Sequence, residues 1–325
     1  MAVTSADHAA TDRGRRAERP QEIPGRGWWD IAMRVKDELG RDNVSLIAAG
    51  LGLYALLAIF PALTAMLSLY GLFASPEQAA SQVQSMAQVL PQQAAGILRE
   101  QLQSLTSQQS GALGLGAVLA IVLALWSASK GMTALMAATN IAYDEREERS
   151  FIKQTLVAFA FTIAAVIGFI VVIAIGIGAP VAIEAIGLGS SVEMLLAALR
   201  WVLLWLFGVL ALAVVYRFAP DRHQPRWRWV TWGSAIAVTL WIVASVLFSL
   251  YVRNFASYNE TYGALGGVVI LLMWFYLSGY VVVLGAEINA EMEHQTAEDT
   301  TVGEPREMGR RRAHVADTLG ETRGD

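Results

Sequence analysis

The sequence contains no cysteine and only four histidines, at positions 8, 223, 294 and 314. Disulfides, thiolate nucleophiles and Cys-based metal sites are therefore excluded, and the histidines fall in terminal segments or a loop instead of pairing at helical spacing. No H-E-x-x-H, G-x-S-x-G or G-x-x-x-x-G-K-[ST] pattern occurs. Charge is also scarce, at 16% of residues against 55% hydrophobic, and the mean hydropathy is +0.44. A soluble domain of 325 residues would not carry that balance; a membrane protein does. The one dense charged run, Asp144-Glu145-Arg146-Glu147-Glu148-Arg149, mixes signs and reads as a solvated loop, not as a two-metal site. Catalytic, cofactor-binding and metal-ligating residues are accordingly expected to be absent. With a net charge of −4, nothing argues for nucleic acid as a partner.

What the chain has in abundance is long apolar stretches, at 44–73, 112–136, 155–178, 194–216, 229–252 and 262–284. Each can span a bilayer core of about 30 Å at about 1.5 Å per residue. The expected fold is all-α and polytopic, with six transmembrane helices. Of the 24 Lys and Arg residues, 20 fall before the first stretch, between the second and third, between the fourth and fifth, or after the sixth. Only Arg99, Lys130, Arg200 and Arg253 do not. The positive-inside rule then places both termini in the cytoplasm and the basic loops against the anionic inner leaflet. Residues 1–27 are polar and Arg-rich with no apolar h-region, so no cleavable signal is expected and the first span is expected to direct insertion.

The membrane domain is expected over 28–292, flanked by disordered cytoplasmic tails at 1–27 and 293–325, both rich in charge and poor in large apolar side chains. Just before the first span, Trp28, Ile31, Ala32, Val35 and Leu39 share one helical face, with Arg34, Lys36, Asp37 and Glu38 opposite. That pattern predicts an N-terminal helix lying in the membrane interface. Between spans one and two, residues 76–110 carry two amphipathic periods broken near Pro91, which predicts an outer helical hairpin that caps the bundle or gates it.

Ionisable groups inside the membrane are the natural functional candidates, because each needs a partner or an aqueous path. Lys130 and Glu287 fall near the inner ends of spans two and six, where either a pair between them or separate snorkelling of both to the interface is expected. Arg200, Glu193, Arg253 and Glu260 suggest an outer charge cluster. Pro61 interrupts the first span two turns beyond Tyr54, so a kink with freed carbonyls near a Tyr hydroxyl predicts a polar cavity. At the head of the sixth span, Tyr262-Gly263 and Gly267 form a small-xxx-small segment suited to close helix packing.

Several strings resemble the YihY/BrkB family of bacterial inner-membrane proteins: Asn43-Val44-Ser45, Ala48-Ala49-Gly50, Tyr54-Ala55-Leu56-Leu57 and Phe60-Pro61, then Ser127-Ala128-Ser129, Asn140-Ile141-Ala142-Tyr143, Tyr216-Arg217-Phe218-Ala219-Pro220, Tyr262-Gly263-Ala264-Leu265, Trp274-Phe275-Tyr276 and Leu284-Gly285-Ala286-Glu287-Ile288-Asn289. The resemblance covers about residues 28–292. Gly52-Leu53 stands where the family more usually has Ala and an aromatic, and Lys130 where a small residue is commoner. The resemblance implies a six-helix protein of the bacterial inner membrane, with membrane lipids as partners and an amphipathic or lipid-like substrate moved across the bilayer. Members have carried a ribonuclease BN label, which nothing in these residues supports. The competing expectation is a structural envelope protein that docks a homo-oligomer or protein partner. Tyr54, Pro61, Lys130, Asn140, Tyr262, Gly263, Glu287 and Asn289 are the residues expected to line a cavity or gate.

Overall fold

The computed structural model describes residues 13–73, 113–178, 190–254 and 264–322. Among them the chain is helical, with no strand beyond one isolated bridge between Pro225 and Thr301. A 3-10 turn at Pro20–Glu22 precedes α1 (Gly25–Arg41). Then come α2 (Val44–Phe73) and α3 (Leu113–Ala142), α4 (Phe151–Ile173, prolonged by a π turn at Ala174–Gly178) and α5 (Ser190–Phe218). The series ends with α6 (Trp227–Asn254), α7 (Ala264–Glu293) and the single turn α8 (His314–Asp317). Helices α2 to α7 overlie the six predicted stretches. The 76–110 hairpin, Tyr262 and Gly263 lie outside the described residues.

By length and composition, four of these helices can cross a membrane: Phe151–Gly176, Val192–Phe218, Trp227–Arg253 and Gly266–Glu293. A fifth span results if α1 and the start of α2, which meet at 66°, are counted together. The corner is made by two residues. Asp42 continues the ladder by donating its N–H to Glu38 O at 2.9 Å, and Asn43 takes φ of 52°, a left-handed conformation that asparagine tolerates better than most side chains. Beyond the corner, α2 runs as one helix through position 61.

Helix α7 packs along α2, α2 along α3, and α3 along α4; on the other side α7 packs on α6 and α6 on α5. Phe207 of α5 reaches Gly168 of α4, so the six helices meet in closed succession. Close backbone approach between α2 and α7 occurs at Gly52 and Gly279, where an added Cβ would lie 3.0 Å from Tyr276 N and 3.2 Å from Ala48 O. At Gly267, one of the two small residues expected to perform that role, a Cβ would meet nothing.

The described segments 13–24 and 294–322, the α3–α4 connection and the α5–α6 connection gather at one end of the bundle, and the buried core lies there. Tyr143, Ala213, Tyr216, Val230, Ala286 and Val315 form one cluster; Ile23, Ile31, Val35, Trp229 and Met292 form another. Farther along α4 to α7 large apolar side chains are exposed, among them Ile167, Phe169, Leu206, Val246 and Val269. Those faces are what a bilayer would cover.

The segments predicted to be disordered tails are folded in their described parts, 13–27 and 294–322. Ala17 and Ile23 pack against α1, and Thr296, Thr300, Ala313, Val315 and Ala316 are buried. Composition misled here because Arg15 and Arg311 turn inward and donate to main-chain carbonyls, while Arg16, Arg19, Arg306, Arg310 and Arg312 stay exposed. Arg15 bonds Gln295 O at 3.2 Å and Gly320 O at 2.5 Å, and Arg311 bonds Ala316 O at 2.7 Å and Ala297 O at 2.8 Å.

A polar base closes one end of the bundle

The last two turns of α7 place Glu287, Asn289, Glu291 and Glu293 in the interior, each between 0% and 4% exposed. A buried polar or charged group costs several kcal/mol without a partner, and Asn289, Glu291 and Glu293 each find one on a different element. Glu291 receives Arg34 Nε from α1; the same guanidinium donates to Gln295 Oε1 at 2.8 Å and to Glu321 O at 2.9 Å. Arg34 reaches this pocket because α1 buries Gly27, Asp30, Ile31, Arg34 and Val35, a stripe at i, i+3, i+4, i+7 and i+8. The solvent face predicted for Arg34 is therefore corrected: it belongs to the buried stripe, since Glu291 supplies the counter-charge.

Glu293 is held by Arg222 of the α5–α6 connection in a bidentate pair, at 3.2 Å and 2.7 Å, with both side chains fully buried. Thr300 donates to the same carboxylate at 2.7 Å, and the Arg222 guanidinium lies 4.8 Å from the Tyr143 ring centre. Burial, with the negative charge of Glu293 beside it, pushes the Tyr143 hydroxyl well above the ordinary tyrosine range.

Asn289 binds α7 to α6: its Oδ1 accepts from Gly233 N at 2.9 Å and its Nδ2 donates to Val230 O at 3.2 Å. Only a glycine at 233 admits this, since a Cβ there would lie 2.4 Å from Oδ1. Likewise Tyr216 donates its hydroxyl to Val282 O at 2.7 Å across the space left by Gly285. Asn140 performs the analogous task between connections, donating to Glu147 at 3.0 Å and accepting from Asp221 N at 2.7 Å. The mixed-charge run after α3 is thus partly structured. Arg149 grips Glu147 and donates to Ala219 O at 2.8 Å, while Arg146 and Glu148 stay exposed. Burial alone would raise the Glu147 carboxyl, but the hydrogen bonds and charge of Arg149 hold it below the usual carboxylate range.

Glu287 stands apart. Its Oε1 is buried with no hydrogen-bond partner among the described residues. Burial raises the Asp42 carboxyl at the α1–α2 corner above its ordinary value, and its interaction with Glu287 opposes that rise. The expected pair with Lys130 does not form. Lys130 is exposed on α3 with Nζ 5.0 Å from the Trp126 ring centre. It sits 12 residues before Ala142, which packs in one cluster with Ala286 beside Glu287, hence about 18 Å away along the axis. The depth estimate failed because α3 and α7 extend beyond their apolar stretches, to Ala142 and Glu293.

Of the other predicted residues, Tyr54 is 43% exposed and lies against Gly131, next in chain to Lys130. These two neighbour each other on the α2–α3 side, while Asn140, Glu287 and Asn289 belong to the base. The side chain of Pro61 is outside the described residues. Arg200 donates to Gly176 O at 3.3 Å and lies over Trp201. Asp42, Arg34, Glu291, Arg222, Glu293 and Tyr143 escaped sequence reasoning. The signal available was the placement of Asp30 and Arg34 on the apolar stripe of α1, and of Glu287 and Glu291 at i, i+4 beside Ala286 and Ala290.

A family model described as Virulence factor BrkB matches residues 35–309. YfkH of Bacillus subtilis (strain 168), whose name calls it ribonuclease-like, is 36% identical over 248 residues, covering 75% of this chain and 88% of its own. A UPF0761 membrane protein of Tolumonas auensis is 40% identical over 90 residues, 28% of each chain, and UPF0761 membrane protein IL2447 of Idiomarina loihiensis is 38% identical over 80, covering 25% of this chain and 28% of its own. No solved structure matches the chain.

Proposed function

The chain belongs to the Virulence factor BrkB family, a family of membrane proteins, and from that premise we propose that it is a six-span protein of the bacterial inner membrane that moves an amphipathic, lipid-like substrate. In this reading α2 to α7 are the spans, α1 lies in the inner interface with Trp29 exposed towards the headgroups, and both termini are cytoplasmic. The gathering of both termini and two connections at one end supports it, because 20 of the 24 basic residues belong to those segments. One observation carries the substrate class. Polar and ionised groups are concentrated in the base, while α4 to α7 continue away from it with exposed apolar faces. That gradient suits a molecule with one polar and one apolar end. Tyr54 and Lys130 then lie along the path, above the base formed with Asn140, Glu287 and Asn289.

The ribonuclease-like name of one relative is not extended to this chain. Glu291, Glu293 and Glu147 are each engaged by an arginine, which leaves them poor general bases. We read the protein as non-enzymatic. The test is lipid scrambling by purified protein in liposomes carrying a headgroup-labelled phospholipid, with a membrane-impermeant quencher outside. Protein-dependent access to more than the outer-leaflet half of the label, lost in a Tyr54→Ala/Lys130→Ala variant that remains monodisperse, is the expected result. Quenching that stops at the outer leaflet with well-folded wild-type protein would sink the transport reading.

A further inference from the structure

We propose that Arg217 and Arg228, where α5 gives way to α6, hold the phosphate of one anionic phospholipid beside the polar base. This goes beyond the transport reading and rests only on the membrane placement of that end. The interior arginines of the base are matched to carboxylates: Arg34 to Glu291, Arg149 to Glu147, Arg222 to Glu293 and Arg311 to Asp299. Arg217 and Arg228 form no ion pair among the described residues. Arg217 is 8% exposed, its Nε is buried with no partner, and its guanidinium makes one hydrogen bond, to Pro225 O at 2.7 Å. Arg228 is half-buried, and its Nε is likewise buried and unsatisfied. A guanidinium carries five N–H donors and keeps its charge, so two of them left in this state mark a place for an anion.

The surroundings decide what that anion is. Arg217 belongs to the last turn of α5, and its guanidinium lies 4.5 Å from the ring centre of Trp227, the first residue of α6, which Arg228 follows in the chain. The N-terminus of α6 adds unsatisfied N–H groups and a partial positive charge, and no acidic residue stands in its first turn to answer them. Around this point the surface is aromatic. Phe218 and Trp227 are exposed and pack edge to face at 6.1 Å, and Trp232 is exposed one turn beyond Arg228. Arginine beside tryptophan suits a headgroup, whose phosphate meets charge while its neighbouring apolar part meets rings. Exposed Leu210 and Leu206 follow two and three turns back from Arg217 along α5, where acyl chains would run. A free phosphate gains nothing from that apolar run, so a lipid is the fitting occupant.

The test uses full-length protein in an uncharged maltoside detergent, with native mass spectrometry after addition of dioleoyl phosphatidylglycerol or dioleoyl phosphatidylcholine. One phosphatidylglycerol per chain should be retained in preference to phosphatidylcholine. An arginine at a lipid surface contributes about fivefold in affinity, so Arg217→Met and Arg228→Met should each lower that retention by about this factor. Arg310→Met/Arg312→Met removes two exposed arginines of the C-terminal segment and should leave it unchanged. Equal retention of both lipids overturns the proposal, and so does an equal loss in the Arg310→Met/Arg312→Met variant, which would reduce the effect to net charge. Displacement of phosphatidylglycerol by millimolar inorganic phosphate would make the site one for a free anion and overturn the lipid assignment. If Arg217→Met melts early without lipid, Arg228→Met decides alone, because that side chain leaves its Nε unsatisfied in the fold. A protein that scrambles lipid without this preference refutes the site and leaves the transport reading standing; one that shows the preference without scrambling does the reverse.

Discussion

Replacing Arg222 by methionine isolates the most demanding electrostatic feature of the base. Its guanidinium makes two hydrogen bonds to Glu293 at 3.2 Å and 2.7 Å, with neither side chain exposed. In Arg222→Met the volume is largely kept, but Glu293 retains only the Thr300 hydroxyl and becomes a buried charge without a counter-ion. Breaking one partner of such a pair costs about 3–5 kcal/mol. At roughly 2 °C per kcal/mol for a chain of this size, melting in detergent, followed by tryptophan fluorescence at one scan rate, should fall by about 6–10 °C. Removing both charges is different. Arg222→Met/Glu293→Met eliminates the desolvation of two ions along with their attraction, and replacing a buried pair by apolar side chains is often neutral or stabilising. The double variant should therefore melt within about 2 °C of wild type, or above it. A single variant that loses less than about 1 kcal/mol, or a double variant as damaged as the single, would show that Glu293 is neutral or solvated and that the pair does not hold this end together.

Gly285→Ala should destabilise by about 1–3 kcal/mol, because its Cβ would lie 2.4 Å from Tyr216 Oη and 2.7 Å from the Ala237 Cβ. Gly267→Ala, with open space around it, should melt as wild type does, and a loss comparable to that of Gly285→Ala would contradict the packing. Folding of 294–322 should weaken in acid. Burial alone would raise Asp299, but hydrogen bonds from the Thr301 and Arg306 N–H groups and the charge of Arg311 hold it below the usual aspartate range. A carboxyl depressed in the folded state contributes stability above its unfolded value near pH ~4 and loses it as pH falls through the folded value. Proteolysis of this segment should accelerate on that descent, and Asp299→Asn should remove the acid dependence while weakening the segment at neutral pH.

The helices were legible because a run of apolar residues long enough to span a bilayer has little alternative to helix. Their ends at the polar base were not. Thr139, Asn140, Asn289 and Glu291 look like the polar residues that end a span, yet they continue it, since their side chains are satisfied by partners such as Met136 O, Asp221 N, Gly233 N and Arg34. An error of a few residues at 1.5 Å each was enough to pair Lys130 with the wrong acid. Asn140, Glu287 and Asn289 were recoverable as candidates because each interrupts an apolar stretch. Their partners were not, because Asn140 and Asp221 are 81 residues apart and Arg34 and Glu291 are 257 apart. The terminal segments were misjudged for a related reason: composition registers an arginine as soluble, and only the fold reveals that its acceptor is a carbonyl.

The clasp between the two ends of the chain also sets a schedule for biosynthesis. Arg15 donates to Gly320, 305 residues later, and Arg34 to Glu321, 287 residues later. Ribosomes add roughly 5–20 residues per second, so Arg15 waits on the order of 15–60 s for that acceptor. Through that interval the ends of the first helices at the polar base lack the residues that will seal them. A chain cut before Gly320 would keep helices α2 to α7 and the Arg34–Glu291 pair but leave Arg15 without Gly320 O and Arg34 without Glu321 O, so that the early and late segments no longer hold each other.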